Sequence, residues 1–215
     1  MLTDLLKWGG KRSDGAKRGG DAPAPREEPA VPSKAFPKFV ATIAQKDAPV
    51  LLDFGPVIGS NVAFCGERLG CKLFIEDFVA DIDRQLRGAT TDLAATVPTR
   101  FTHADASIDG ILLWDLFDFL DKATAQALAS QIVRMLRPGG AVMGFFCTTA
   151  VERAPFTKFE IVDDHTLRHR YHPGVGGKKQ SLQNRDIIKM FDGLTVSDSF
   201  LLKTSTREIL LRKKA

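Results

Sequence analysis

A chain of 215 residues with 44% hydrophobic content can bury one sizeable core, and none of its apolar runs approaches the ~18 residues that a membrane-spanning helix needs. The N-terminus has no apolar stretch of secretory-signal length, so one enzyme-sized, cytoplasmic domain without a transmembrane segment is the expectation. The net charge of +4 is uneven: Lys+Arg against Asp+Glu runs 7 to 5 over residues 1–34, 11 to 14 over 35–155 and 12 to 7 over 156–215.

The basic excess is therefore C-terminal, which suits an anionic substrate, a nucleic-acid surface or simply a solvated face. Cys65, Cys71 and Cys147 make no C-x-x-C pair and have no His at ligand spacing, so reduced buried thiols are expected rather than disulfides or a metal site.

Residues 1–34 are rich in Gly, Pro, Ala, Lys and Arg and hold too few apolar side chains to offset the entropy of ordering. They read as a disordered tail ahead of a domain over residues 35–215. Leu2, Leu5, Leu6 and Trp8 in that tail have the spacing of a short amphipathic turn, suited to a partner or a membrane surface. From Ser33 a helix is expected with Phe36, Phe39, Val40 and Ile43 on one face, ending at Asp47-Ala48-Pro49.

An αβ alternation follows. Val50 to Phe54 reads as a strand, Ser60 or Asn61 as the cap of a helix closing at Gly70, Lys72 to Ile75 as a second strand, and Phe78 to Arg87 as a helix. Residues 88–107 leave room for a short third strand at most. Gly110 to Trp114 is an apolar strand, Ala123 to Leu136 a helix stopped by Pro138-Gly139-Gly140, and Ala141 to Cys147 another apolar strand.

Beyond them, Lys158 to Val162 and Leu167 to Tyr171 read as paired strands ahead of a Gly-rich loop. The helix Leu182 to Phe191 precedes two closing strands, Thr195 to Leu202 and Arg207 to Arg212. Uniformly apolar strands alternating with helices define an α/β, Rossmann-like three-layer sandwich. Its sheet is mostly parallel, with a C-terminal antiparallel strand pair and a basic hairpin inserted at about residues 156–180.

Two places point to a ligand. In LLDFGPVIGSN, Asp53, Gly55 and Gly59 form a D-x-G-x-x-x-G frame at a strand end, where glycine admits close backbone approach and the next helix offers free N–H groups; a plain tight turn is the alternative. Glu76 ends the next strand 23 residues after Asp53, where a carboxylate can accept both ribose hydroxyls, with Asp77 adjacent; either acid could instead cap a helix.

With these residues in place the chain resembles the class I S-adenosylmethionine-dependent methyltransferases. LLDFGPVIGSN, KLFIED, IDGILLWD, LRPGG and the closing REILLRK match that family's segments in order across residues 35–215. The resemblance implies S-adenosyl-L-methionine as cofactor, held by Asp53, Gly55, Gly59, Glu76 and Asp77, and methyl transfer to a small-molecule or anionic acceptor. Val57 stands at the family's middle glycine, and the adenine-pairing acid has Asp92 and Asp105 as its nearest matches. A nicotinamide-binding protein is the nearest competitor, but Gly55 and Gly59 do not meet the G-x-G-x-x-G spacing.

In the implied reaction Asp115, at the end of the fourth strand, is the expected catalytic residue, with a capping role as the alternative. No Asn/Asp-Pro-Pro-aromatic motif follows it. In the basic hairpin Arg168, Arg170 and His172 fall on one strand face and would steer an anionic acceptor. A noncatalytic cofactor- or partner-binding module and a nucleic-acid methyltransferase are the competing functions.

Overall fold

The structure is a computed structural model that describes residues 28–88 and 92–215; the side chains of residues 172–175 fall outside that description. Residues 1–27, where most of the expected tail falls, also lie outside the described residues.

The first described element is strand β1 (Ala30–Pro32), followed by helix α1 (Phe36–Ile43). Phe36, Phe39, Val40 and Ile43 of α1 are buried, as the spacing predicts. Its N-terminus is held by a distant residue: the buried Glu208 accepts Ser33 Oγ at 3.1 Å, Lys34 N at 2.7 Å and Ala35 N at 2.8 Å through one oxygen. That carboxylate satisfies donors that an uncapped helix start would leave orphaned.

Strand β2 (Val50–Asp53) leads through the glycine turn into the short helix α2 (Gly59–Ala63) and a π-helical turn at Phe64–Arg68. Neither Ser60 nor Asn61 caps this helix. The cap is Ile58, without a side-chain bond, because Asn61 is drawn to another strand. Then come β3 (Lys72–Ile75), α3 (Phe78–Leu86) and α4 (Leu93–Arg100). The stretch that leaves room for a short third strand at most is helical from Leu93, with Asp92 as its side-chain cap; its alanines and threonines mask a buried face of Leu93 and Val97.

Strand β4 (Ile108–Trp114) ends in a 3-10 turn at Leu116–Phe119, and α5 (Lys122–Met135) runs directly into β5 (Leu136–Cys147). The remaining elements are β6 (Val151–Ile161), β7 (Thr166–Lys179), α6 (Asn184–Met190), β8 (Leu194–Leu201) and β9 (Thr206–Lys213).

The central sheet has the order β3-β2-β4-β5-β9-β8. Its first four strands are parallel, and β9 runs antiparallel between β5 and β8. One apolar cluster joins the sheet to α1 and the π-helical turn after α2, and the other joins it to α3, α4, α5 and α6. This is the expected Rossmann-like α/β sandwich with a closing antiparallel pair. Gly110 lets α1 lie close on the sheet, since a Cβ there would meet Leu51 at 2.5 Å and Ile43 at 2.6 Å.

A second, three-stranded sheet of order β1-β7-β6 packs through Phe159, Ile161 and Leu167 into the cluster shared with α1. Its hairpin is longer than the sequence suggests, because β6 begins at Val151. Among the described residues no helix is long and apolar enough to cross a membrane.

Candidate active site

Strand order reverses between β2 and β4, so their carboxyl ends flank the crevice where open α/β sheets bind ligands. Asp53 ends β2, only 1% exposed. Its Oδ1 accepts the Gly55 N–H at 2.8 Å and Trp114 Nε1 at 2.6 Å. Burial pushes the Asp53 carboxyl up to about 6, against the opposing pull of these hydrogen bonds.

Trp114 reaches Asp53 through an unusual backbone. The β4–β5 register shifts between Leu112 and Trp114, and Trp114 itself has φ 53°, a left-handed conformation rare for a bulky residue. Its indole then lies against the glycine turn: a Cβ on Gly55 would meet Trp114 Cδ1 and Nε1 at 2.9 Å. On the far side Phe159 of β6 stacks on the indole at 5.1 Å and 8°, and Phe145 of β5 stacks on Phe159 at 4.7 Å and 12°. Asn61 fastens this arrangement by donating Nδ2 to Phe159 O at 2.9 Å and accepting Ile161 N at 2.7 Å.

The other residues expected around a cofactor separate. Gly59 opens α2 with free space where a Cβ would be, and Val57 is 71% exposed. α2 continues without a break into the π-helical turn, and the helical stretch ends just before Gly70, as the sequence implies. Ser60 Oγ, beside it, is buried without a hydrogen-bond partner among the described residues. Glu76 follows β3, with Arg100 at 3.5 Å and His103 at 3.6 Å, so both carboxylate oxygens keep capacity to accept.

Asp77 caps α3 by accepting Ala80 N at 3.1 Å, and it also lines a cleft of about 370 Å³ with Pro56, Thr157 and Lys158. Asp105 is not part of this group. It precedes β4, at the amino ends of the strands and away from the crevice, exposed and paired with Arg134 at 2.6 Å.

Asp115 follows Trp114 and is buried. It makes no capping bond; instead it accepts Lys179 Nζ of β7 at 2.8 Å. Asp118, fully buried, stands 3.6 Å from the same ammonium, and its Oδ1 accepts Cys147 N at 2.9 Å. Burial pushes Asp118 up to about 7, although Lys179 pulls the other way. Burial alone would lower the Lys179 pKa, but Asp115 and Asp118 outweigh it and hold the ammonium above its ordinary range. Asp115, Lys179, His169, Tyr171 and Phe159 line a cavity of about 240 Å³ under the hairpin. Burial holds the His169 imidazole below its ordinary pKa.

Arg168 and Arg170 share a strand face, as the alternation predicts, and both pair with Glu160, at 3.2 Å and 2.8 Å. The His172 side chain lies outside the described residues. The cavity takes the other phase of β7. Leu167, buried at 0% and in step with His169 and Tyr171, is the signal that marks that phase as inward. No local motif in the sequence marks Lys179, Trp114 or Phe159 as a site residue. Their signal is spatial, since they meet Asp115 and Asp53 only once the hairpin folds over the crevice.

No family model matches the chain, and a search of curated proteins finds no relative. The search of solved structures finds distant likenesses. The PH0226 protein of Pyrococcus horikoshii is 13% identical, covering 85% of this chain and 92% of its own, with TM-score 0.49. The CcbJ methyltransferase of Streptomyces caelestis is 14% identical, covering 86% and 91%, with TM-score 0.48. The 1,6-didemethyltoxoflavin-N1-methyltransferase of Burkholderia thailandensis, solved with S-adenosylhomocysteine and 1,6-didemethyltoxoflavin, is 15% identical, covering 85% and 78%, with TM-score 0.46.

Proposed function

We propose that the chain is an S-adenosylmethionine-dependent methyltransferase acting on a small acceptor. The observation that carries this reading is the switch point, with Asp53 ending β2, Asp115 directly following β4 and Glu76 directly following β3. The polar groups beside it suit the cofactor: Glu76 keeps acceptor capacity for ribose hydroxyls, Ser60 Oγ is an orphaned buried donor, and the cleft at Pro56 and Asp77 can receive the base.

Bound there, S-adenosylmethionine supplies an electrophilic methyl group. The chain's part is to hold an acceptor in line and keep water out, which the cavity under the hairpin serves. Asp115 is the first candidate to face the acceptor, oriented by Lys179. For an acceptor that carries a proton, His169 is a base that burial keeps neutral near pH 7. Arg168 and Arg170 already share Glu160, which reduces the pull of that face on an anionic acceptor or a nucleic acid.

Calorimetry with S-adenosylhomocysteine tests the reading, with Glu76→Ala expected to weaken binding; an unchanged affinity in that variant removes Glu76 from the site. Acceptor-dependent release of S-adenosylhomocysteine tests turnover. The indole over Gly55 favours one alternative, a noncatalytic module on the same fold, and binding without release across a broad acceptor panel supports that alternative.

A further inference from the structure

We infer that Trp114 and the cofactor compete for one place: the indole occupies the space over Gly55, and the site takes S-adenosylmethionine only when the indole leaves it. The inference rests on the cofactor reading above and adds what the chain does with that site when no ligand is in it.

A ligand atom lying over a glycine turn needs about 3.5–4 Å to the backbone on one side and to its next neighbour on the other. The indole leaves no such layer, because a single Cβ on Gly55 would already stand 2.9 Å from two of its atoms. The position is built, not incidental. Trp114 donates to Asp53 at 2.6 Å, stacks on Phe159 at 5.1 Å and is held by a register shift and a φ of 53° that a bulky side chain rarely adopts. Only 5% of Trp114 and 4% of Phe159 remain exposed.

Asp53 is occupied in the same way, since its Oδ1 carries both the Gly55 N–H and the indole N–H. When the indole leaves, Asp53 regains an acceptor site facing the crevice, so the residue that latches the closed form becomes available to the ligand. The strained backbone at Trp114 counts against the closed form and the stack with Phe159 counts for it, a balance suited to two arrangements.

The chain has two tryptophans, Trp8 and Trp114, so Trp8→Phe leaves Trp114 as the only reporter. In this full-length variant Trp114 should emit as a buried indole poorly quenched by acrylamide. Added S-adenosylhomocysteine should shift the emission to the red and raise quenching. Phe159→Ala, which removes the stacking partner, should bind S-adenosylhomocysteine about tenfold more tightly if about a tenth of the parent is open. Trp114→Gly should do the same, with circular dichroism checking that both variants fold.

Binding in the variants but not in the parent supports the inference. Binding in the parent with Trp114 emission and quenching unchanged overturns it and leaves the cofactor reading standing. No binding in the parent or in either folded variant overturns both.

Discussion

Lys179, near the end of the inserted hairpin, reaches Asp115 at the end of β4 across 2.8 Å, and the side chains are only 16% and 7% exposed. A buried pair of this kind is costly to break from one side, because the remaining carboxylates lose their counter-charge. Lys179→Met should destabilise the fold by about 3–5 kcal/mol in urea unfolding. Replacing Asp115 by Leu as well should recover part of that loss. If the double variant is no more stable than the single one, the coupling is absent.

The pH dependence follows from Asp118. Folding raises its pKa from an ordinary value of about 3.9 to about 7, so the native state binds the proton more tightly than the unfolded chain does. The stability this group contributes is therefore fully present below about pH 4, is lost as pH rises to about 7 and is level above that. Asp118→Asn keeps an oxygen for Cys147 N and removes the titration. Urea midpoints across that range should fall less steeply in the variant than in the parent. Parallel curves would contradict the assignment.

Glu208 serves three donors at the start of α1 with one oxygen. Glu208→Ala strands them in a buried place, and a loss of about 3 kcal/mol is expected in thermal or chemical unfolding. Glu208→Gln, which retains an acceptor oxygen, should lose less. Equal losses would mean that charge rather than hydrogen bonding anchors the helix.

Gly55 and Trp114 should couple. Gly55→Ala forces a methyl group against the indole and should cost about 1–3 kcal/mol. In a Trp114→Leu background the same change should cost much less. A double-mutant cycle measures this directly, and additive effects would show that the indole does not rest on Gly55 in solution.

The sheet was legible from sequence because its strands are short, apolar and punctuated: Lys72–Ile75 stands as expected, and Val50–Asp53 differs by one residue. The Leu93–Arg100 helix was not legible, since a Pro and four Thr/Ala positions weaken its period. In the candidate site, local features were legible where one motif carries them: Asp53 ends β2 and Gly55 is closely approached. The partners that decide what those residues do were not. Gly55 signals close approach in any sequence, but that the approaching group is Trp114 depends on a bulge in another strand and a phenylalanine about a hundred residues away.

Ala30–Pro32 is hydrogen-bonded along β7 from Thr166 to Arg168, and Ser33 N continues the contact to His165 O at 2.8 Å. β1 thus joins the sheet that roofs the cavity before the chain enters α1 and the body of the domain. Because Ser33, Lys34 and Ala35, which link β1 to α1, are held by Glu208 of β9, the roof of the cavity is tied directly to the closing pair of the central sheet.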